Sequence, residues 1–139
     1  MVGLDTAPLI YFIEENPTYL ETIRPFFVAM DRGEFRVVTS TVTLLEVLIL
    51  PFRRGENKLA QQYRDILLGT ESLIIISFTQ DIAEEAARLR ATHNIRTPDA
   101  IQLATSLRAG ATHFLTNDVR LPSLPGIKVL VLDKLKTES

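Results

Sequence analysis

Four acidic residues stand at positions where a carboxylate is able to do chemistry. Asp5 directly follows the short β-prone run VGL, and Asp118 lies just beyond a second such run, HFLT. Glu46 is the only charged residue in the apolar helical segment TVTLLEVLIL, and Asp99 lies in the first turn of the segment TPDAIQLATSL. A carboxylate buried without a partner is unfavourable, so these residues are candidates for binding a cation.

A divalent metal ion is the cation that best fits this set of ligands. Carboxylates that lie close together repel one another and cannot all stay ionised without a countercharge. The sequence has no cysteine and two well-separated histidines, His93 and His113, and an all-oxygen site favours Mg²⁺ or Mn²⁺. These ions activate water and stabilise the negative charge that develops during attack on a phosphodiester. The predicted chemistry is therefore metal-assisted hydrolysis of nucleic acid.

Each acid also has an ordinary structural explanation, which the sequence leaves open. Asp5 is a suitable N-cap for the helix that follows it. Asp99 complements the helix dipole from the first turn, and Asp118 suits the turn-forming stretch TND. Glu46 is alternatively explained by an ion pair with an arginine, or by a narrow exposed stripe on its helix. Convergence of all four acids in one place would favour the metal site over these separate explanations.

The elements that must position the acids alternate between short strands and longer helices. Strands are predicted at residues 2–5, 35–40, 73–77, 113–116 and 128–132. Helices are predicted at Pro8–Glu15, Thr18–Arg32, Thr41 to about Leu50, Asn57–Leu68, Asp81–Ala91 and Pro98–Ala109. Pro25 is expected to break or kink the second helix. The alternation predicts a single α/β domain over residues 1–139, with a mainly parallel central sheet and helices on both faces.

This topology directs the acids to one edge of the sheet. Ligands of such sheets bind outside the carboxyl ends of the strands, where Asp5 and Asp118 follow theirs. The helix capped by Thr97, with Pro98 at its first position, precedes the fourth strand and runs antiparallel to it. The start of that helix, with Asp99, is therefore expected beside the end of the strand. The remaining acid follows the second strand to the same edge.

Composition limits the classes of partner. The 139 residues are 46% hydrophobic, enough for one core, and 15 Lys and Arg against 17 Asp and Glu give a net charge of -2. With no global positive field, nucleic-acid binding needs a local patch or a bound cation. Candidate patches are Arg53, Arg54 and Lys58, and Arg88, Arg90 and Arg96. No apolar run approaches the ~18 residues of a membrane span and no leader pattern is present, so we expect a soluble cytoplasmic protein without a membrane partner.

The four motifs together resemble the PIN-domain ribonucleases, especially the VapC-like toxins of toxin–antitoxin pairs. The matching segments are LDT, TSTVTLLEVL, RTPDAIQLATSL and HFLTNDVRL, and in order and spacing they span nearly the whole chain. The resemblance implies a three-layer α/β/α sandwich and an endoribonuclease that depends on Mg²⁺ or Mn²⁺. It also implies four catalytic metal ligands, corresponding to Asp5, Glu46, Asp99 and Asp118, with Thr116 in a supporting role. Implied partners are an RNA substrate, a cognate antitoxin and a second copy of the chain in a homodimer.

The sequence departs from the family pattern in two of the motifs. Ala7 stands where the family often has Asn or Ser after the first motif. In the last motif, Arg120 and Leu121 stand where a second acid often follows. Arg120 is expected either to hold a phosphate or to neutralise the acidic cluster, or else to be a solvated surface residue. A PIN-fold RNA-processing nuclease that is not a toxin, and a catalytically inactive PIN-fold binding module, remain the alternatives.

Overall fold

The structure, a computed structural model, describes residues 1–136 of the chain. Its strands are β1 (Val2–Leu4), β2 (Val37–Ser40), β3 (Leu73–Ile76), β4 (His113–Thr116) and β5 (Lys128–Val131). Its helices are α1 (Thr6–Ile13), α2 (Leu20–Asp31), α3 (Thr41–Arg54), α4 (Asn57–Gly69), α5 (Gln80–Thr92), α6 (Thr97–Arg108) and α7 (Leu132–Lys136).

The five strands form one parallel sheet in the order β3-β2-β1-β4-β5. β1 lies at its centre, in register with β4 through the pairs Val2–His113, Gly3–Phe114 and Leu4–Leu115. The chain leaves β1 toward β2 on one side and later returns to β4 on the other side. Such a reversal opens a crevice at the carboxyl ends of the two strands. The predicted α/β fold with a mainly parallel sheet is confirmed.

Helices cover both faces of the sheet. The adjacent residues Val37 and Val38 on β2 are both fully buried but belong to different apolar clusters, because successive side chains of a strand point to opposite faces. One cluster joins β1 and β2 to residues of α1 to α4, including Phe27 and Tyr63. The other contains residues of α5 and α6, including Leu103. The result is the three-layer α/β/α sandwich that the resemblance implied.

Several predicted helix ends were wrong, and tertiary packing explains most of the differences. α2 runs unbroken through Pro25, whose lost hydrogen bond is offset by the burial of neighbouring apolar residues. α3 continues past the expected end at Leu50, because buried Pro51 packs inward and Gly55 ends the helix with φ of 67°. Thr97 is the first residue of α6 rather than its N-cap, which is Arg96. α7 was not predicted from the sequence.

α6 packs closely on β1 at Gly3. A Cβ atom added to Gly3 would lie 2.0 Å from the Ser106 Oγ atom and 2.9 Å from a ring carbon of Phe114. Glycine therefore allows the helix to lie directly against the strand.

Among residues 1–136, no helix has both the length and the apolar character that a membrane span needs.

Candidate active site

A cavity of about 580 Å³ lies at the carboxyl ends of β1 and β4, at the crevice of the sheet. All four acids of the sequence motifs line it: Asp5, Glu46, Asp99 and Asp118. They arrive from the end of β1, from α3, from the first turn of α6 and from the loop after β4. The predicted convergence on one edge of the sheet is therefore observed.

Asp5 is held from both sides. Its Oδ1 accepts a hydrogen bond of 2.9 Å from the Thr6 backbone N–H and so caps α1, while its Oδ2 accepts one of 2.7 Å from the Thr116 hydroxyl. Burial raises the pKa of the Asp5 carboxyl to about 6, against the lowering by these two hydrogen bonds, and the negative charges of Asp99 and Glu46 raise it further. The N-cap explanation is correct, but both hydrogen bonds come from neutral groups and do not cancel the negative charge of the carboxylate.

Glu46 is held by a chain of buried polar side chains. Its Oε1 accepts a 2.8 Å hydrogen bond from the Thr6 hydroxyl, which lies 3.1 Å from the Thr43 hydroxyl. The Gln102 amide donates to the Thr43 hydroxyl at 2.6 Å. Because Thr6 donates to Glu46, the proton between the two threonines comes from Thr43. Within the described part of the chain Glu46 forms no ion pair, so the explanation by an arginine partner is wrong.

Thr6, Thr43 and Gln102 were not singled out in the sequence. The signal that could have found them was a polar residue between apolar residues, as at Thr43 and Gln102. In the structure both side chains are fully buried. A fully buried amide or hydroxyl needs a partner. The sequence did not indicate which partner, because the three residues belong to three helices.

Asp99 and Asp118 have arginine partners. Arg120 holds Asp118 with two bonds, of 3.1 Å from Nε to Oδ1 and 3.2 Å from Nη2 to Oδ2, and these bonds lower the pKa of the Asp118 carboxyl. The Arg96 Nε atom lies 3.5 Å from an oxygen of Asp99. Burial raises the pKa of Asp99, and Arg96 partly counteracts the increase. Arg120 therefore neutralises part of the acidic cluster, one of the roles expected from the sequence.

Thr116 connects the two acids that follow the strands. Its fully buried hydroxyl donates to Asp5 and accepts a 3.0 Å hydrogen bond from the Asp118 backbone N–H. The single hydroxyl thus fixes the carboxylate of one acid and the backbone of the other. Its contacts make Thr116 a positioning residue in this structure.

The donor set suits a hard divalent cation, although the side chains are not gathered around one point. Four carboxylates from separate elements line the cavity, and among the described residues neither Asp5 nor Glu46 forms an ion pair. Oxygen ligands of this kind bind Mg²⁺ or Mn²⁺. In the described residues, no three Asp, Glu, His or Cys side chains are arranged to hold a metal ion. Arg120 competes with such an ion for the oxygens of Asp118.

Comparisons with known proteins agree with this fold. A family model described as PIN domain matches residues 2–127, and among curated proteins there is no match. The chain resembles a toxin–antitoxin complex from Klebsiella pneumoniae, with 24% identity, a TM-score of 0.67 and coverage of 91% of this chain and 93% of that chain. It also resembles the structure of VapBC2 from Rickettsia felis bound to a DNA fragment from the VapBC2 promoter. The identity is 18%, the TM-score is 0.71, and the match covers 94% of this chain and 98% of that chain.

A third similar structure is that of VapC20 from Mycobacterium tuberculosis, described as a sarcin–ricin loop cleaving toxin. It has 20% identity to this chain, a TM-score of 0.71 and coverage of 86% of this chain and 92% of that chain. At these identities the likeness concerns the fold. The family assignment rests on the model that matches nearly the whole chain.

Proposed function

Because this chain belongs to the PIN-domain family, we propose that it is a single-domain, metal-dependent endoribonuclease that hydrolyses RNA phosphodiester bonds. The observation that carries the proposal is the cavity at the crevice of the sheet, which four acids from distant parts of the sequence line. Separate structural roles for each acid do not require such a convergence. VapC20, which is described as a sarcin–ricin loop cleaving toxin, has a similar fold, and this similarity supports the proposal.

Asp5, Glu46, Asp99 and Asp118 would hold the ion, which is Mg²⁺ or Mn²⁺ in this proposal. Such an ion supplies a nucleophilic water near neutral pH and stabilises the charge that develops on the phosphate. Thr116 keeps the Asp5 carboxylate turned toward the cavity, and Thr6 does the same for Glu46. These buried hydroxyls restrict the carboxylates before substrate arrives, which lowers the cost of organising the site.

The direct test is cleavage of RNA by the purified protein. We expect cleavage with Mg²⁺ or Mn²⁺, none in excess chelator, and a large loss of rate in Asp5→Asn and Asp99→Asn with the fold intact by circular dichroism. Asp31→Asn is the matched control, because Asp31 is exposed and lies at the end of α2. Full activity in the chelator, or in the double variant of Asp5 and Asp99, would refute the catalytic assignment.

We further propose that the protein is the toxin of a cytoplasmic type II toxin–antitoxin pair. Two of the similar structures are toxin–antitoxin complexes, and an exposed apolar stripe on α3 offers a surface for protein partners. Leu45, Ile49 and Phe52 recur on one side of that helix with exposed fractions of 61%, 45% and 55%. A cognate antitoxin and a homodimer are the proposed partners.

Expression in bacteria separates a toxin from the two alternatives. A toxin should arrest growth, and co-expression of the protein encoded by a neighbouring reading frame should relieve the arrest. RNA cleavage without growth arrest would favour a processing nuclease. Absence of cleavage under all metal conditions, in a folded protein, would favour an inactive binding module.

A further inference from the structure

A second cleft opens beside the acidic cavity and shares part of its wall. It has a volume of about 410 Å³ and extends from Asp99 and Asp118 past Arg96 and Arg120 to Arg90. Three arginines from α5, from the residue before α6 and from the loop after β4 therefore converge on one cleft. Of the two basic patches singled out in the sequence, only Arg90 and Arg96 reach it, and Arg120 joins them. Arg88, Arg53, Arg54 and Lys58 do not line it.

Arg90 is held in place at this cleft by hydrogen bonds to neutral groups. Its Nε donates a 2.9 Å hydrogen bond to the Ile95 carbonyl, and its Nη1 donates another of 2.9 Å to the Thr97 hydroxyl. No ion pair within residues 1–136 involves Arg90. A guanidinium has five N–H donors, so Arg90 keeps donors and an uncompensated charge while its position is fixed by the loop before α6.

We propose that this cleft binds backbone phosphates of the RNA strand on one side of the bond to be cleaved. Arginine suits this role, because its planar array of donors matches the oxygens of a phosphate group. A chain with a net charge of -2 needs such a local patch to hold a polyanion. The inference rests on the proposed function, since it names the part of the protein that holds the substrate of that site.

Continuity with the acidic cavity favours a nucleic-acid strand over an acidic peptide. Arg96 and Arg120 line both spaces, so a strand whose phosphates contact the cleft would carry its next phosphodiester past the carboxylates. An acidic peptide has no phosphodiester on which the proposed chemistry of the cavity could act. The cleft thus sets the direction from which the RNA backbone reaches the cavity.

The experiment measures RNA binding separately from cleavage. A fluorescein-labelled, short single-stranded RNA is titrated in chelator with protein carrying Asp5→Asn, and anisotropy gives the Kd at several salt concentrations. Adding Arg90→Gln should weaken binding roughly fivefold and reduce the slope of log K against log salt by about 0.7. Arg88→Gln is the matched control, because Arg88 lies on the same helix, is exposed and pairs with Glu85 outside the cleft; it should leave both quantities unchanged.

Arg90 also supports the loop before α6, so a second variant separates charge from folding. Arg96→Gln removes a cleft cation whose contact is with Asp99, and it should produce the same loss of RNA affinity with an unchanged circular dichroism spectrum. Equal Kd values for the parent, Arg90→Gln and Arg96→Gln would overturn the proposal. So would an Arg88→Gln effect as large as theirs, since only net charge would then matter.

A polyglutamate peptide is the competing ligand. If Arg90→Gln weakens binding of polyglutamate but not of RNA, the cleft is a peptide site and the proposal is wrong. These results are independent of catalysis, because they are obtained without metal. Loss of RNA affinity in a protein that never cleaves RNA would support the cleft and refute the proposed nuclease, whereas normal cleavage with unaltered binding would refute the cleft alone.

Discussion

Replacement of Asp5 by Asn measures how much stability the acidic cavity costs the folded protein. Burial raises the pKa of the Asp5 carboxyl from 3.8 to about 6. Between these two values the folded protein keeps a proton that the unfolded chain has lost, so stability falls as the pH rises. The contribution of protonated Asp5 to the free energy of unfolding is fully present below pH 3.8 and is lost as the pH rises through about 6. At about 1.4 kcal/mol per pKa unit, the loss amounts to about 3 kcal/mol.

The Asn side chain removes this titration and keeps only part of the hydrogen bonding. Its carbonyl still accepts the Thr6 N–H that caps α1, but the Thr116 hydroxyl loses its carboxylate acceptor, at a cost of about 1 kcal/mol. Metal-free Asp5→Asn should therefore be about 2 kcal/mol more stable than the wild-type protein at about pH 7.5. At about pH 3, where Asp5 is protonated in both the folded and the unfolded protein, the variant should be about 1 kcal/mol less stable.

Urea denaturation in chelator, followed by circular dichroism, gives the free energy of unfolding of both proteins at the two pH values. Asp31→Asn serves as the control, because Asp31 is exposed at the end of α2, and its effect should be small. The diagnostic quantity is the change of sign in the stability difference between wild type and Asp5→Asn. A difference that is the same at both pH values would refute a pKa of Asp5 raised by burial.

Three further predictions address packing and polar contacts. Gly3→Ala should lower the free energy of unfolding by about 1–3 kcal/mol, because its Cβ would meet Ser106; Ser106→Gly should recover part of the loss, and no recovery would contradict the clash. Gln102→Leu should cost about 1 kcal/mol in urea denaturation, since Thr43 loses a buried donor; an unchanged stability would show that this bond contributes nothing. Arg120→Gln should tighten Mg²⁺ binding in calorimetry, because the aspartate that Arg120 holds becomes free; weaker binding would mean that the arginine does not compete with the ion.

The sheet was the most predictable part of the fold. The strand HFLT was predicted with both ends correct, and the other four runs were at most two residues too long at one end. Short β-branched runs between helical segments give a strong local signal. The ends of helices were less predictable. The third helix was expected to end at about Leu50, but the next residue, Pro51, is buried and α3 continues to Arg54. Such packing is decided by residues that are distant in sequence.

The convergence of the four acids was predictable, but their contacts were not. Parallel strands place their carboxyl ends on one edge of the sheet, and this rule is sufficient to bring Asp5 and Asp118 together. The partners depend on side-chain geometry that topology does not specify. Thr6, Thr43 and Gln102 meet only because α1, α3 and α6 pack at one particular depth, and a sequence pattern carries no measure of that depth.

The distribution of partners divides the cavity into two halves. Asp99 and Asp118 lie beside arginines, whereas Asp5 and Glu46 are held by neutral groups alone. Hydroxyl and amide donors orient a carboxylate without cancelling its charge, so the unbalanced negative charge is concentrated on the side of β1 and α3. A cation entering the cavity gains most from these two acids, since no arginine must be displaced there. The arginines then remain available on the opposite side, where the basic cleft begins and where a phosphate would need them.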